Sequence, residues 1–547
     1  MTVQSSPTGE IAGPAEARLH PAGTEPGTTG VSDAEFKHEE VVAVIPQSTS
    51  DAETGRYLIY TLSESNNNPA AASSSNDPAA KDDTGHFRLR AVPYPATRQQ
   101  PLPPNLTPFV LDKSRLPPHL TGTGSVTGGR RLHVIALKRS GLGLAPEFYA
   151  RVLAPLFAAV GVVPDEVTVV PDGGGGLKAV REAMRRVVEE SKKGREVTAV
   201  VLAGDGGVVE LLNVLNLEED GEEEEDEGVG GTTCPPPTVA LVPLGTGNAL
   251  FHSLHKPLYS MDGGGGGGGK ASPLVLALRS LLFGTPSPLP TFRASFSPGA
   301  RLAAAAASDD ADGGDDGTQK ETEQHAVSHI LGAVVASYGF HATLVWASDT
   351  PEYRVHGDKR FGMAAAELLR EAHAYDAEVL VRWKGSEEFV PLSTPGNSSS
   401  SSSGGGGGGG ESSSSSSDRF SYLVLTLVSN LEKTFTISPT SRPLDGVLRA
   451  VWFGAMDGQR TMEIMTAAYQ EGAHVSRPEV GYTGNDESRV LEEVRVVVHE
   501  AEPRWRKVCV DGSIVEVERD GWVSVKRESR GRERLRVVVD GSVLSSR

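Results

Sequence analysis

Two ordered parts are predicted for this chain, an α/β domain built on a parallel sheet and, after it, a mostly antiparallel β domain. Three observations carry the prediction. From Arg131 to Val242, β-branched runs alternate with segments whose apolar residues recur every three or four positions. Two of those runs end in glycine-rich turns, Gly204-Asp-Gly-Gly207 and Pro243-Leu-Gly-Thr-Gly-Asn248. Beyond about residue 325 the helical period fades and alternating apolar segments dominate.

Taken in order, residues 1–38 are rich in Gly, Pro, Thr and Glu without apolar period, and read as disordered. Residues 39–120 hold three short apolar runs, Val41–Ile45, Tyr57–Leu62 and Phe87–Val92, which predict a small β-rich element. The α/β domain is placed at 130–290. Its first strand, 131–137, runs into Ser140-Gly-Leu-Gly143 and a helix whose Leu144, Phe148, Val152, Leu156 and Val160 form one stripe. The strand 167–171, a helix carrying Leu177, Val180, Met184 and Val187, the strand 197–203, a helix over 208–215 and the strand 238–242 follow. Such alternation implies a sheet covered on both faces, with ligands at the carboxyl ends of its strands. Residues 291–324 read as a flexible insert, and 325–540 as the β domain, interrupted by a Ser/Gly insert at 392–418. The acidic run Glu218–Glu227 and the glycine run Gly263–Gly269 read as solvated loops, since neither composition can bury apolar surface. The last alternating segment, Leu535–Val539, is assigned to the second domain.

Composition narrows the function classes. The formal net charge of −19 speaks against nucleic acid held through its phosphates, so no nucleic-acid partner is expected. Two cysteines, Cys234 and Cys509, cannot form a disulfide framework or a thiolate cluster, and a reducing, cytoplasmic setting is expected. No apolar stretch is long enough for a transmembrane segment, so any membrane contact is expected to be local and peripheral. The sequence leaves the oligomeric state open.

The two turns carry the chemistry. A strand followed by residues without side chains lets backbone N–H groups approach a phosphate closely. One carboxylate, Asp205, stands inside the first turn, where it can act on a hydroxyl or a metal. Such a residue is expected to serve transfer rather than folding. A second candidate is Tyr353-Arg-Val-His-Gly-Asp-Lys-Arg360, whose guanidinium groups suit phosphate oxygens. His341 and His356 lack companions at metal-ligand spacing and read as structural or exposed.

These residues carry a resemblance. Gly204-Asp205-Gly206 with Glu210, then Pro243-Leu-Gly-Thr-Gly-Asn248-Ala-Leu250 with Ser253-Leu254, resemble the catalytic domain shared by diacylglycerol, ceramide and sphingosine kinases. Tyr338-Gly-Phe340, Tyr353-Arg354, Gly357 and Arg360-Phe361 resemble the sphingosine kinases in particular, and Val510-Asp511-Gly512 resembles the late Asp-Gly-Glu motif. The resemblance covers about 130–530 without the inserts. It implies a two-domain lipid kinase fold, an N-terminal α/β nucleotide-binding domain followed by a β-sandwich lipid-binding domain, with ATP and Mg2+ as cofactors and a lipid hydroxyl as acceptor. Asp205 would ready the hydroxyl and, with Asp511, associate with the metal. Ser140, Gly141, Gly204, Gly206, Glu210, Gly245, Thr246, Gly247, Asn248, Arg354, Arg360, Asp511 and Gly512 would contact the nucleotide. Phe340 and Asp349 would contact the lipid, met by transient contact with a membrane surface.

The departures from the family pattern are specific. Leu137-Lys138 stands where the family has Asn-Pro, Gly207 replaces a Thr or apolar residue, and Ser513 replaces the late Glu. Val345 occupies the place of the acidic residue that reads a sphingoid amine, and Asp349 is the nearby carboxylate able to replace it. The acceptor expected is a sphingoid long-chain base, with diacylglycerol or ceramide as alternatives. A catalytically weakened lipid-binding or regulatory homologue is a further alternative. An NAD kinase shares the Gly-Asp-Gly turn but does not account for the segment from Tyr353 to Phe361.

Overall fold

The computed structural model describes residues 36–47, 55–65, 85–97, 100–112, 116–121, 129–171, 176–219, 235–261, 270–303, 326–357, 359–395, 419–486, 488–529 and 533–545. The readings made for 1–35, for most of the acidic run, for Gly263–Gly269, for the greater part of both inserts and for Cys234 lie outside these residues.

Strands β1 (Val41–Pro46), β2 (Arg56–Glu64) and β3 (Phe87–Pro95) form an antiparallel three-stranded sheet. The short helix α1 (Pro118–Thr121) follows it. Strand β4 (Arg130–Leu137) opens the larger parallel sheet. The helix expected over 144–160 occurs as α2 (Ala145–Phe148), a π turn at Tyr149–Leu153 and α3 (Ala154–Val160). Pro155 cannot donate to the helical ladder, which accounts for the widened turn just before it. The stripe survives: Phe148, Val152, Leu156 and Val160 are buried against the sheet, each contributing about 1.5–3 kcal/mol of burial.

The elements β5 (Glu166–Val170), α4 (Gly176–Lys192), β6 (Glu196–Ala203), α5 (Asp205–Glu219), β7 (Thr238–Pro243), α6 (Ala249–Met261), α7 (Pro273–Phe283) and β8 (Thr285–Pro288) then alternate as the periodicity predicts. On α4, Val180, Ala183, Met184, Val187 and Val188 face the core. Helices α4 and α5 cover one face of the sheet, while α2, α3 and α7 cover the other with β1 to β3 beyond them. Arg279 of α7 fixes that N-terminal sheet by donating to the carbonyls of Val41 at 2.8 Å and His38 at 3.0 Å.

The second sheet is antiparallel throughout. It gathers β9 (Phe292–Phe296), β10 (Arg301–Leu302), β11 (His329–Gly332), β12 (Val335–Gly339), β13 (Tyr375–Trp383), β14 (Phe389–Pro391), β15 (Arg419–Thr426), β16 (Arg449–Gly454), β17 (Val480–Tyr482), β18 (Leu491–Val498), β19 (Lys507–Val510), β20 (Ser513–Glu516) and β21 (Trp522–Arg527). Its main path runs β10-β20-β19-β12-β15-β13-β18-β21-β9-β11. Four helices interrupt it: α8 (Phe340–Ala347), α9 (Pro351–Arg354), α10 (Lys359–Glu371) and α11 (Gly458–Ala468).

Three sequence readings are corrected here. The helical period does not fade beyond 325; it returns in α10 and α11, and α8 is apolar on nearly every side, which leaves no period to read. Residues 292–302 of the proposed flexible insert are strands β9 and β10, held by β21, β11 and β20. The last strand, β22 (Arg536–Val539), belongs to the first sheet, where it lies parallel to β7 and antiparallel to β8, ahead of α12 (Gly541–Ser545). The first sheet therefore has the order β5-β4-β6-β7-β22-β8 and is parallel except at β8.

The two sheets share one apolar cluster, in which α5 packs against β11. Asn213 ties that contact in both directions, accepting from the Leu331 N–H at 3.0 Å and donating to its carbonyl at 3.1 Å.

Candidate functional site

Strands β4, β6 and β7 are consecutive neighbours, so the turns that follow them stand side by side at one edge of the sheet. Their backbones touch. The Gly204 N–H donates to the Ser140 hydroxyl at 2.8 Å, and a Cβ on Gly245 would lie 2.3 Å from the Gly204 Cα. A Cβ on Gly141 would lie 2.4 Å from the Leu244 carbonyl oxygen, and Gly141 is left-handed with φ 54°. These glycines are therefore demanded by the packing of turn on turn. Gly206 and Gly512 differ, because a Cβ on either meets no atom within 4 Å. The space beside them is open, a cradle that a ligand backed by glycine could occupy.

Asn248 folds its own turn. Its side-chain oxygen accepts from the Gly245 N–H and its amide donates to the Gly245 carbonyl, both at 2.9 Å, with its backbone left-handed at φ 52°. Asn tolerates that conformation better than most residues. Thr246 is exposed at the tip, and Gly247 passes close to the Leu431 carbonyl of the second sheet's loop.

Asp205 is the first residue of α5, and its carboxylate accepts from two N–H groups at the start of α6, Ala249 at 2.7 Å and Leu250 at 2.9 Å. It is thus the bolt between the second and third turns as well as the acid within the site. Burial raises its pKa against the pull of those amides. The expectation that Asp205 has no part in holding the fold is corrected by these bonds.

Asp511 arrives from the other sheet. It and Gly512 form the two-residue turn between β19 and β20, both left-handed at φ 47° and 90°. Its carboxylate accepts from the N–H groups of Ala333 at 2.6 Å, Val334 at 3.1 Å and Val335 at 2.5 Å. Burial pushes its pKa up to about 7 despite those amides, and the charge of Asp205 adds to the rise. The two carboxylates, far apart in sequence, are electrostatic neighbours.

The residues do not fit Mg2+ as an ion caged by protein. Asp205 and Asp511 are engaged by backbone amides, and among the described residues no group of three or more His, Cys, Asp or Glu forms a metal cluster. Glu210 is drawn away from the turns by an ion pair with Arg181 at 2.6 Å.

The segment after β12 rearranges the remaining candidates. Gly339 is left-handed at φ 86° against the Ser421 carbonyl, and Phe340 is buried at the start of α8. Val345 lies within α8. Arg360 donates to Asp349 at 3.1 Å and lies over the Phe361 ring at 4.8 Å. The residue expected to clamp phosphates and the residue expected to read an amine thus face each other. The Arg354 side chain lies outside what is described, although its backbone closes α9. His341 is structural, with its Nδ1 2.8 Å from the Ser337 hydroxyl.

The departures find physical reasons in part. A Cβ on Gly207 would lie 2.8 Å from Val201 and 3.1 Å from Ala203, so α5 rests too closely on β6 for the usual larger residue. Ser513 is the first residue of β20 and pairs with Val510 across the Asp511 turn. Leu137 is a buried residue of β4.

Sequence reading missed Asn430. Its N–H donates to the Ser253 hydroxyl of α6 at 2.9 Å, and Ser253 donates back to its carbonyl at 3.1 Å, joining the third turn's helix to the second sheet. The usable signal was Ser253, a polar residue on the buried face of an apolar helix.

The family model of the diacylglycerol kinase catalytic domain matches residues 131–264. No curated protein matches the chain. Among solved structures, the chain is similar to one described as "a putative diacylglycerol kinase from Bacillus anthracis str. Sterne", with 12% identity and a TM-score of 0.43 over 77% of this chain and 99% of that one. Another of the same description and organism has 12% identity and a TM-score of 0.40, covering 76% and 98%. A third, described as a diacylglycerol kinase of that organism, has 10% identity and a TM-score of 0.38, covering 76% and 98%. The matched region holds all three turns.

Proposed function

We propose that this chain is a lipid kinase that transfers a phosphoryl group from ATP to a lipid hydroxyl, working in the cytoplasm in transient contact with a membrane surface. The observation that carries the reading is the convergence of the three turns after β4, β6 and β7, with Asp511 delivered beside Asp205. No described helix is long and apolar enough to cross a membrane, which agrees with peripheral contact.

In this reading the open faces of Gly206 and Gly512 admit the nucleotide, and the amides of the turns approach its phosphates. Asp205 takes the proton of the acceptor hydroxyl, a role that its raised pKa favours. The 333–335 amides fix Asp511 within the second sheet, so its approach to Asp205 depends on how the two sheets sit together. No step is assigned to Mg2+, since no protein cage for it is present among the described residues.

The acceptor is a lipid alcohol. A sphingoid base is supported by the Tyr338 to Phe361 wording, whereas the Asp349–Arg360 pair leaves no single carboxylate dedicated to an amine, which suits diacylglycerol or ceramide. A second reading, a lipid-binding or regulatory homologue, is favoured by the engagement of both carboxylates with amides. The deciding experiment incubates the purified chain with radiolabelled ATP and sphingosine, diacylglycerol, ceramide or NAD. Labelled lipid is expected. Labelled NAD alone would replace the proposal, and no labelled product beside retained lipid binding would favour the second reading.

A further inference from the structure

The chain crosses between its two sheets twice, outward at 289–291 and back at 528–535, and both crossings line one cleft of about 700 Å³. That volume is in the range of sites that enclose a small molecule. The rest of the wall comes from the second sheet, as the loop 442–449 and the turn 483–490. None of the three glycine turns lines the cleft, nor does Asp205 or Asp511, so it lies apart from the site described above.

Formally its lining is neutral, with four arginines and four acidic residues. The two sets are not equally free. Asp445 accepts from the N–H groups of Arg442 at 3.0 Å and Val447 at 2.9 Å, and pairs with Arg449 at 2.9 Å. Glu528 is held between Arg534 at 2.8 Å and Arg293 at 3.5 Å, neither of which lines the cleft. Glu533 pairs with Arg536 at 3.2 Å, and Asp486 accepts from the N–H and the hydroxyl of Ser488.

The arginines differ. Arg442 is exposed, and its guanidinium makes no hydrogen bond or ion pair with any described residue. Arg489, also exposed, covers the Trp383 ring at 4.2 Å and has no hydrogen bond or ion pair of its own among the described residues. Arg527 reaches the Gly446 carbonyl at 3.5 Å and Glu492 at 3.7 Å, both long, while its Nε is buried without a partner. A buried donor in that state favours a ligand that brings an acceptor to it. Three separate segments thus offer N–H donors to spare, whereas the carboxylates beside them are already matched by protein donors, several from outside the cleft.

We propose that this cleft binds a small organic phosphate, its oxygens taking the free donors of Arg442, Arg489 and Arg527 and its carbon body resting on Leu289, Leu444 and Val447. A guanidinium fork suits the doubly charged, three-oxygen phosphate better than a single-point anion. The apolar wall favours an organic phosphate over the inorganic ion. Soluble phosphates and phosphate-headed lipids share this chemistry, and the experiment separates them.

Phenyl phosphate is titrated into the full chain by calorimetry, beside phenol and benzylamine, which keep the ring but carry no charge or the opposite one. Saturable binding of phenyl phosphate is expected, weakened at least tenfold, about 1.4 kcal/mol, by Arg442→Gln with Arg489→Gln. Neither guanidinium is hydrogen-bonded within the fold, so this variant should melt with the parent; Arg442→Lys, which keeps the charge without the fork, should bind with intermediate strength. Sedimentation with phosphatidylcholine vesicles, with and without phosphatidic acid, then assigns the source. Pelleting that needs both phosphatidic acid and the two arginines identifies a lipid head group, and phenyl phosphate binding without such pelleting identifies a soluble ligand. No binding, binding that the double variant leaves intact, equal binding of phenol, or a preference for benzylamine would overturn the proposal.

Discussion

The Gly204 and Pro243 turns and the Tyr338 to Phe361 segment all carry the sequence resemblance, yet they behave differently in the fold. In the turns, backbone meets backbone: Gly245 on Gly204, Gly141 on Leu244, Asp205 on the amides of α6. In the later segment, Asp349 and Arg360 meet each other across a half-exposed surface. Motifs written in glycine and N–H groups constrain their surroundings, because no other residue fits and the bonds leave few alternatives. Motifs written in long charged side chains do not, since each head can take a partner that the sequence does not announce.

Substitutions can press on that difference. The largest effect is expected for Asp205→Asn, which should lower transfer by about 10²–10⁴-fold if the carboxylate is the base. It should also lower stability by about 1–3 kcal/mol, because an amide NH2 cannot accept from Ala249 or Leu250. Urea unfolding beside turnover separates the two losses. An unchanged midpoint would return Asp205 to chemistry alone.

Next is Gly245→Ala, where the new methyl would overlap the Gly204 Cα. A destabilisation of about 1–3 kcal/mol is expected. Gly206→Ala, with open space around its Cβ, should leave the melting temperature alone and weaken ATP binding. Equal melting losses in both variants would erase the distinction between packed and open glycines.

The Asp511 carboxyl is raised to about 7 by burial, so it binds a proton more tightly folded than unfolded. Its contribution to stability is full below the ordinary carboxyl pKa of about 3.9 and disappears as pH rises through about 7. The melting temperature of the parent should therefore carry a downward component between about pH 4 and 7 that Asp511→Asn lacks. Identical slopes would mean that the amides of 333–335 hold the carboxyl ionised throughout.

The smallest effects are expected for Asp349→Asn, within about 1 kcal/mol in stability because the pair is partly exposed. The ratio of sphingosine to diacylglycerol turnover should not move. A collapse of sphingosine use in this variant would restore Asp349 as the amine reader.

Much of the first sheet was legible because strand and helix periods alternate with little interruption from Arg131 to Val242, and Val180, Met184 and Val187 advertise their buried face. Strand β22 was not, because Leu535 to Val539 carries no mark of which sheet it joins; its partner β7 is chosen by pairing distant in sequence. Helix α8 was hidden by being apolar all round. Helix α10 was not hidden: Phe361, Ala364, Leu368 and Leu369 keep helical spacing, but the arginines of that stretch drew the reading towards a ligand loop. In the site, the backbone bonds of Asp205 and Asp511 come from residues whose N–H groups any amino acid but proline supplies, so nothing in the sequence points to Ala249 or Ala333.

The placement of β22 between β7 and β8 governs how the chain acquires its shape during synthesis. Until Arg536–Val539 leaves the ribosome, β7 presents an unpaired edge while the whole second sheet is being made. The glycine turns can assemble early, but the platform beneath them stays open and prone to wrong pairing until the final strand arrives. A nascent chain halted near residue 530 should hence bind chaperones and resist soluble recovery, although every residue of the three turns is already present.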